Sequence, residues 1–306
     1  MKPAYLILAI AMILSACGNA AEAAPQPAAT ATASPTATAS PTATLTPTFT
    51  ASPSPAPTWV VQGPDAVTVP ILLYHRIGVS PINSQYYVPP AQFEMQLQLL
   101  HDWEYTVIPL DLLVKAIKQG ASLPPRPVII TFDDGDISVY TTALPIMQAY
   151  GYTGVAYIVG NYMGTDGYMD ANQIKELVAA GWEVGSHSRS HRDLTQLELA
   201  VQREEIVAAR EFLQEQIGVP VNSFAYPFGV INNAAVDFVH FAGYTSAMGL
   251  GYTNHQGKSN LFWLQRRDIK SSYDIRQFAA FLPWQGDPAY LPTQAPTLTP
   301  TATPSP

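Results

Sequence analysis

Asp133 and Asp134 stand side by side, directly ahead of Gly135. Adjacent carboxylates repel, and burying one is costly unless it is paired or binds a cation. The residues before them, Val128-Ile129-Ile130-Thr131-Phe132, read as a buried strand. The pair therefore falls at a strand's C-terminal end, where parallel α/β folds place their chemistry. There it holds a cation or does acid–base work; the plainer reading is a turn, because Asp-Gly is a common turn dipeptide. His187 and His191 lie four residues apart, with Ser188, Arg189 and Ser190 between them. In a helix or turn both imidazoles face one way and can share one cation. One Asp with two His leaves positions open for water and substrate, as catalytic zinc sites do, and also suits other divalent ions. Water on such an ion has its pKa lowered to about 7, and the second Asp is then free to take a proton from it.

The elements that must position these residues alternate along the chain. Val69 to Arg76 reads as a first buried strand that ends on His75, by itself a core histidine as readily as an active-site group. Gly154 to Val159, Trp182 to Ser186, Tyr244 to Met248 and Trp263 to Ile269 read as further strands, Asn222 to Gly229 as a strand and tight turn, and Thr106 to Leu110 as a short strand. Helices are expected over Pro90 to Trp103, Leu112 to Lys118 with Asp111 as N-cap, Val139 to Tyr150, Ala171 to Ala180, Glu198 to Gln216, Asn233 to Ala242 and Asp274 to Leu282. Strand–helix alternation throughout argues for parallel βα units closed into a barrel.

The ends differ in kind. Met1-Lys2 is a basic start, and Tyr5 to Leu14 is an apolar run too short to span a bilayer comfortably. It ends in Leu14-Ser15-Ala16-Cys17, which resembles a bacterial lipoprotein signal; the resemblance implies cleavage before Cys17 and lipidation of its thiol. An uncleaved anchor or an ordinary secretory signal are the alternatives. Residues 1–17 are thus expected to be a signal peptide. Residues 18–58 are expected to be a disordered Pro/Thr/Ser/Ala linker, 59–291 the folded domain and 292–306 a low-complexity tail. Cys17 is the one cysteine, so neither a disulfide framework nor a thiolate metal site is available. A net charge of −8 argues against nucleic acid as a partner and suits a neutral substrate. The domain is expected to act as a monomer that meets the membrane only through the lipid.

Thr131-Phe132-Asp133-Asp134-Gly135, followed by His187-Ser188-Arg189-Ser190-His191, resembles the polysaccharide deacetylase family, and the likeness extends from Ile71 to Leu282. The resemblance implies an α/β fold, a distorted (β/α)7 barrel. It implies a hydrolase acting on linear amides, with metal-dependent removal of N- or O-acetyl groups from sugars. It also implies Asp133 as base and Asp134, His187 and His191 as ligands of a divalent metal, zinc first, with cobalt or nickel as alternatives. The family's Arg-x-Pro-Tyr motif reads Ala225-Tyr226-Pro227-Phe228 here. By resemblance the Phe228 N–H helps hold the oxyanion, but Ala225 stands where the family has the arginine that orients the base. Arg266 or Arg267 are the candidates to replace it. His255 lies in a Gly/Asn-rich loop and makes no match to the family's catalytic acid. Ile71-Leu72-Leu73-Tyr74-His75 resembles the Leu-x-His motif of that acid, displaced to the start as in a circularly permuted branch acting on poly-N-acetylglucosamine. His75 is then the expected acid. Tyr74, Tyr86, Tyr87, Tyr162, Tyr168, Tyr226, Phe228 and Trp263 fall in or near expected loops, where aromatics can stack on sugars. The rival readings are a deacetylase of peptidoglycan or O-acetyl-xylan and a non-catalytic carbohydrate-binding relative.

Overall fold

Ile71–Tyr74, Pro127–Phe132 and Val155–Ile158 are buried at every position. Strands without a solvent face belong in a parallel sheet covered on both sides. The computed structural model describes residues 58–294 and supplies that arrangement. The expected signal segment, Cys17, the linker up to residue 57 and the tail from residue 295 lie outside the described residues.

Seven strands close into a parallel barrel: β1 (Ile71–Tyr74), β2 (Pro127–Phe132), β3 (Val155–Ile158), β4 (Glu183–Ser186), β5 (Ser223–Ala225), β6 (Ser246–Leu250) and β7 (Leu264–Asp268). The ring runs β1-β7-β6-β5-β4-β3-β2 and returns to β1. The closing strand is the first in the chain. β1 pairs with β2 from Ile71↔Ile129 to Tyr74↔Phe132, and with β7 at Leu72↔Arg267 and Leu73↔Asp268. The barrel is uneven. β4 and β5 share only the pair Ser186↔Phe224. Thr106–Val107 joins the start of β2, and β3 joins its end, along one edge.

Strand parity divides the core. Leu72, Tyr74, Ile130, Phe132, Ala156, Ile158 and Phe224 pack outward with the helices. Ile71, Ile129, Val155, Tyr157, Ala225, Met248 and Leu264 form a second cluster, continued by Leu113, Ile117 and Leu123. Because side chains alternate, positions that continue this second set past the strand ends fall over the barrel mouth. Asp133, His187 and Asp268 are such positions.

The helices are α1 (Pro90–Asp102), α2 (Leu110–Gln119), α3 (Leu144–Ala149), α4 (Ala171–Ala179), α5 (Leu199–Arg203), α6 (Ala209–Ile217), α7 (Asn233–Phe241) and α8 (Ile275–Ala280). Several departures from expectation have local causes. α2 starts at Leu110, not after Asp111, because Glu183 from β4 accepts the N–H groups of Leu110 (2.8 Å) and Asp111 (3.1 Å). The expected helix 139–150 opens with a π-helical turn, Val139–Ala143, ahead of Pro145, which has no N–H to donate. The expected helix 198–216 is α5 and α6 joined by a π turn, Glu204–Ala208. His255 is in a short strand, His255–Gly257, paired antiparallel with Ala66–Thr68, rather than in an irregular loop.

Gly185 in β4 carries the chain to His187 past the Tyr157 ring. A Cβ at residue 185 would fall 2.2 Å from Tyr157 Cε1 and 2.8 Å from Ser223 Oγ. Gly185→Ala should therefore lower unfolding free energy by about 1–3 kcal/mol in denaturant titration; an unchanged midpoint would contradict this packing.

Candidate active site

Three turns at the C-terminal ends of the strands build the site. After β2, Asp133 donates its N–H to the Tyr74 carbonyl (3.0 Å), and Asp134 turns at φ 74°, just ahead of Gly135 at φ 82°. A left-handed aspartate is uncommon, and such residues cluster at functional sites. After β4, Ser188 (φ 65°) and His191 (φ 56°) make a turn, not a helix, closed by the His191 N–H on Ser188 Oγ (2.9 Å). This sets the two imidazoles 4.8 Å apart, edge to face. After β5, Phe228 turns at φ 60° and lays its exposed ring 4.7 Å from His191.

One ligand atom from each of Asp134, His187 and His191 lies within 4.8 Å of the other two. Asp134 Oδ1 faces His187 Nε2 at 3.7 Å and His191 Nε2 at 3.5 Å. These separations are too long for hydrogen bonds and suit neighbouring donors around one ion at about 2 Å from each. His187 Nδ1–H donates to the Ala225 carbonyl (2.8 Å), which leaves Nε2 with its lone pair facing both Asp134 Oδ1 (3.7 Å) and Asp133 Oδ2 (3.6 Å). Burial, and then the neighbouring His187, push His191 below its ordinary pKa, toward the neutral form that ligates metals. The donor set fits a divalent cation. Arg76 reaches the same carboxylate from the other side: Nη1 is 3.2 Å from Asp134 Oδ2, and Nε is 2.9 Å from Asp136 Oδ2. Arg76 escaped the sequence analysis because nothing in its local pattern separates it from a surface charge.

Asp133 is 3 % exposed and Arg266 1 %. Nη1 and Nη2 of Arg266 donate to the two oxygens of Asp133 at 2.6 and 2.7 Å. Arg266 Nε donates to the Gly249 carbonyl (3.3 Å), and its guanidinium lies 5.3 Å from the Tyr157 ring centre. Burial pushes the Asp133 carboxyl up, but Arg266 and then His187 outweigh it and hold the group at about 2. Arg267, the other candidate, points the opposite way, as the next residue of a strand must. It stacks on Tyr252 (4.8 Å) and Phe281 (4.5 Å) and does not orient the base.

His75 follows β1, with Nδ1 3.8 Å from Asp268 Oδ1 and the Tyr86 ring 4.7 Å away. Burial lowers the His75 pKa against the opposing pull of Asp133, Asp134 and Asp268. Burial likewise raises Asp268. Asp268, two residues beyond Arg266 on β7, went unnoticed in the sequence, although strand alternation puts both on one face. His75, Asp133, Asp134, His187, His191, Phe228 and Arg266 line one cavity of about 230 Å³. A larger cleft of about 730 Å³ beside α1 and α8 is lined by no histidine or cysteine. Of the aromatics expected near sugars, Tyr74 and Tyr226 are core residues. Tyr86, Phe228 and the buried Tyr226 border the cavity. Tyr162 sits 4.7 Å from Tyr168 and 6.4 Å from His191. Tyr87 lies 5.5 Å from the Arg76 guanidinium, and Trp263 is half-exposed.

Fold and site together define a barrel hydrolase with a candidate Asp/His/His metal centre. The sequence profile of the polysaccharide deacetylase family matches residues 120–247. The chain is 24 % identical over 218 residues to YxkH of Bacillus subtilis (strain 168), named a polysaccharide deacetylase, over 70 % of this chain and 76 % of that protein. It is 25 % identical over 189 residues to the poly-β-1,6-N-acetyl-D-glucosamine N-deacetylase of Staphylococcus epidermidis, over 53 % of this chain and 65 % of that one. The Streptococcus pyogenes deacetylase PplD, solved in complex with acetate, superimposes with a TM-score of 0.66 at 26 % identity, over 71 % of this chain and 98 % of that chain. The chain carries a polysaccharide deacetylase domain, and the relatives and solved structure it is similar to are named as deacetylases. β1 and β7, which bring His75, Arg266 and Asp268, lie outside the residues the family profile matches.

The buried pair sets a pH dependence. A carboxyl at about 2 in the folded protein, against about 3.9 unfolded, contributes roughly 2–3 kcal/mol of stability. That contribution is fully present above the unfolded value and is lost as pH falls toward 2. Arg266→Met should cost about 3–5 kcal/mol at pH 7 by leaving a buried charge unpaired. The gap from wild type should narrow as pH falls from 5 to about 2.5; a gap constant across that range would contradict the pairing.

Proposed function

We propose that this enzyme hydrolyses the N-acetyl groups of N-acetylglucosamine-containing polysaccharide, that the reaction depends on a divalent metal, and that it takes place outside the cytoplasm. The observation that carries this reading is the convergence of Asp134, His187 and His191 beside an arginine-held Asp133, with His75 lining the same cavity. Asp134, His187 and His191 would hold the metal; zinc suits these N and O donors, and cobalt or nickel are alternatives. When bound there, such an ion would supply a water with its pKa lowered to about 7 and a polarised acetyl carbonyl.

The chain's own residues do the rest. Arg266 keeps Asp133 ionised at neutral pH, ready to accept a proton from the attacking water. A carboxylate with so low a pKa is a weak base and takes a proton readily only from a water already made acidic. The Phe228 N–H, in the left-handed turn beside His191, is the candidate donor to the tetrahedral oxyanion. His75 gives a proton to the departing amine nitrogen as the C–N bond breaks, so acetate and a free amino sugar leave. Asp268 faces the other side of that imidazole and steadies the charged form. Tyr86 and Phe228, bordering the cavity, offer apolar faces to the flanking sugar rings.

N-acetylglucosamine is favoured by the likeness to the S. epidermidis N-deacetylase. The binding-protein alternative rested on the motif arginine missing at Ala225; Arg266 brings a guanidinium to Asp133 from another strand, which removes that support. The apolar run ending in Leu14-Ser15-Ala16-Cys17 supports a lipid anchor on Cys17.

The test is acetate release from β-1,6-linked N-acetylglucosamine oligomers by the full chain. Chelator should abolish release, and added zinc, cobalt or nickel should restore it. Asp133→Asn should lower kcat by about 10²–10⁴-fold; release that survives chelator, or full activity in that variant, would contradict the reading. His75→Gln should slow amide hydrolysis far more than hydrolysis of p-nitrophenyl acetate, whose leaving group needs no proton. Equal losses on both substrates would remove His75 as the acid.

A further inference from the structure

The turn from His187 to His191 holds two non-glycine residues at positive φ, Ser188 and His191. Such a turn does not keep its shape unaided, and one buried carboxylate holds its amides. Glu205 is 5 % exposed. Its Oε2 accepts the N–H groups of Arg189 (3.1 Å) and Ser190 (2.8 Å), and its Oε1 accepts the Ser190 hydroxyl. The backbone carbonyl of Glu205 also accepts the Arg189 N–H (3.0 Å). Among the described residues, no lysine, arginine or histidine lies within ion-pair distance of Glu205. Its charge is met by donors of the histidine turn alone.

The helix is built to allow this. Glu205 lies in the π turn Glu204–Ala208 between α5 and α6. A π turn widens the helix and turns a carbonyl away from the regular ladder, and such turns recur at functional sites. Here that carbonyl meets the Arg189 amide, and the side chain of the same residue meets the Arg189 and Ser190 amides. The opposite face of the histidine turn is held as well. Its Ser188 and Arg189 carbonyls accept the N–H groups of Gly160 (3.1 Å) and Asn161 (2.7 Å). Consecutive N–H groups beside a left-handed residue form an anion-binding nest, and Glu205 fills it from within the protein.

We propose that Glu205 is a positioning residue for the metal centre, fixing through Arg189 and Ser190 the turn that aims His187 and His191 at a common point. The inference rests on the reading that these histidines ligate a metal. Glu205 touches neither ligand, and its effect runs through backbone geometry.

The experiment is zinc affinity of the full chain, measured by competition with a chromophoric chelator at a temperature where circular dichroism shows each protein folded. Glu205→Ala should weaken zinc binding by about 10–100-fold, the usual effect of removing support for a ligand. Glu205→Gln keeps one acceptor oxygen and should recover much of that loss. Ser190→Ala removes a single donor and should cost about 2–5-fold. A role confined to overall stability would leave zinc affinity unmoved in folded protein. Should Glu205→Ala not fold, the other two variants decide. Folded Glu205 and Ser190 variants that all bind zinc within about twofold of wild type would overturn the proposal. If wild type itself takes up no zinc, it is the reading of the centre that fails.

Discussion

A carboxylate at the top of a closed barrel must be neutralised or paired, and Asp133 is paired with Arg266 through two short hydrogen bonds. The pair joins the end of β2 to β7 across β1, the strand that closes the ring. His75 emerges from β1, so the ion pair spans the strand that delivers it. Much of the site's charge follows from this arrangement. With Arg266 committed to Asp133, Arg76 takes Asp134 Oδ2 and Asp136. What remains free of a guanidinium is Asp134 Oδ1, with the Nε2 atoms of both histidines within 3.7 Å of it and that of His187 also 3.6 Å from Asp133 Oδ2.

Neighbouring carboxylates thereby acquire different work. Asp133 is buried, doubly hydrogen-bonded and held at about 2, so it is ionised whenever the enzyme is at neutral pH. Asp134, on a left-handed backbone, turns one oxygen outward to the histidines. Two adjacent carboxylates in such different surroundings can take separate roles, which the proposed function assigns as base and metal ligand. The histidine turn shows the same economy. The Ala225 carbonyl sets the tautomer of His187, and Glu205 holds the amides between the two rings.

The residues that could be read in the sequence were those whose partners are near in the chain. Asp133-Asp134-Gly135 and His187 to His191 carry their chemistry in types and spacing. The alternation of strands with helices was enough for the barrel. What escaped depends on distant contacts: Glu183 capping α2 across 73 residues and Arg76 reaching Asp136 across 60, while Arg266, a candidate alongside Arg267, reaches Asp133 across 133. The choice between Arg266 and Arg267 was nonetheless open to strand parity. Leu264 and Arg266 are buried while Gln265 and Arg267 are not, and Asp268 continues the first set toward His75. Neither π turn has a marker beyond Pro145, because helical periodicity hardly changes when one residue is added to a turn.

The most direct test of the account is a diffraction experiment at the zinc absorption edge on crystals of the zinc-loaded protein. A single strong anomalous peak should lie between Asp134 Oδ1, His187 Nε2 and His191 Nε2, with both Asp133 oxygens still on Arg266 and within hydrogen-bond reach of a water at the ion. A peak elsewhere, or an Asp133 that has left Arg266 to bind the metal, would contradict the division between base and ligand on which the account stands.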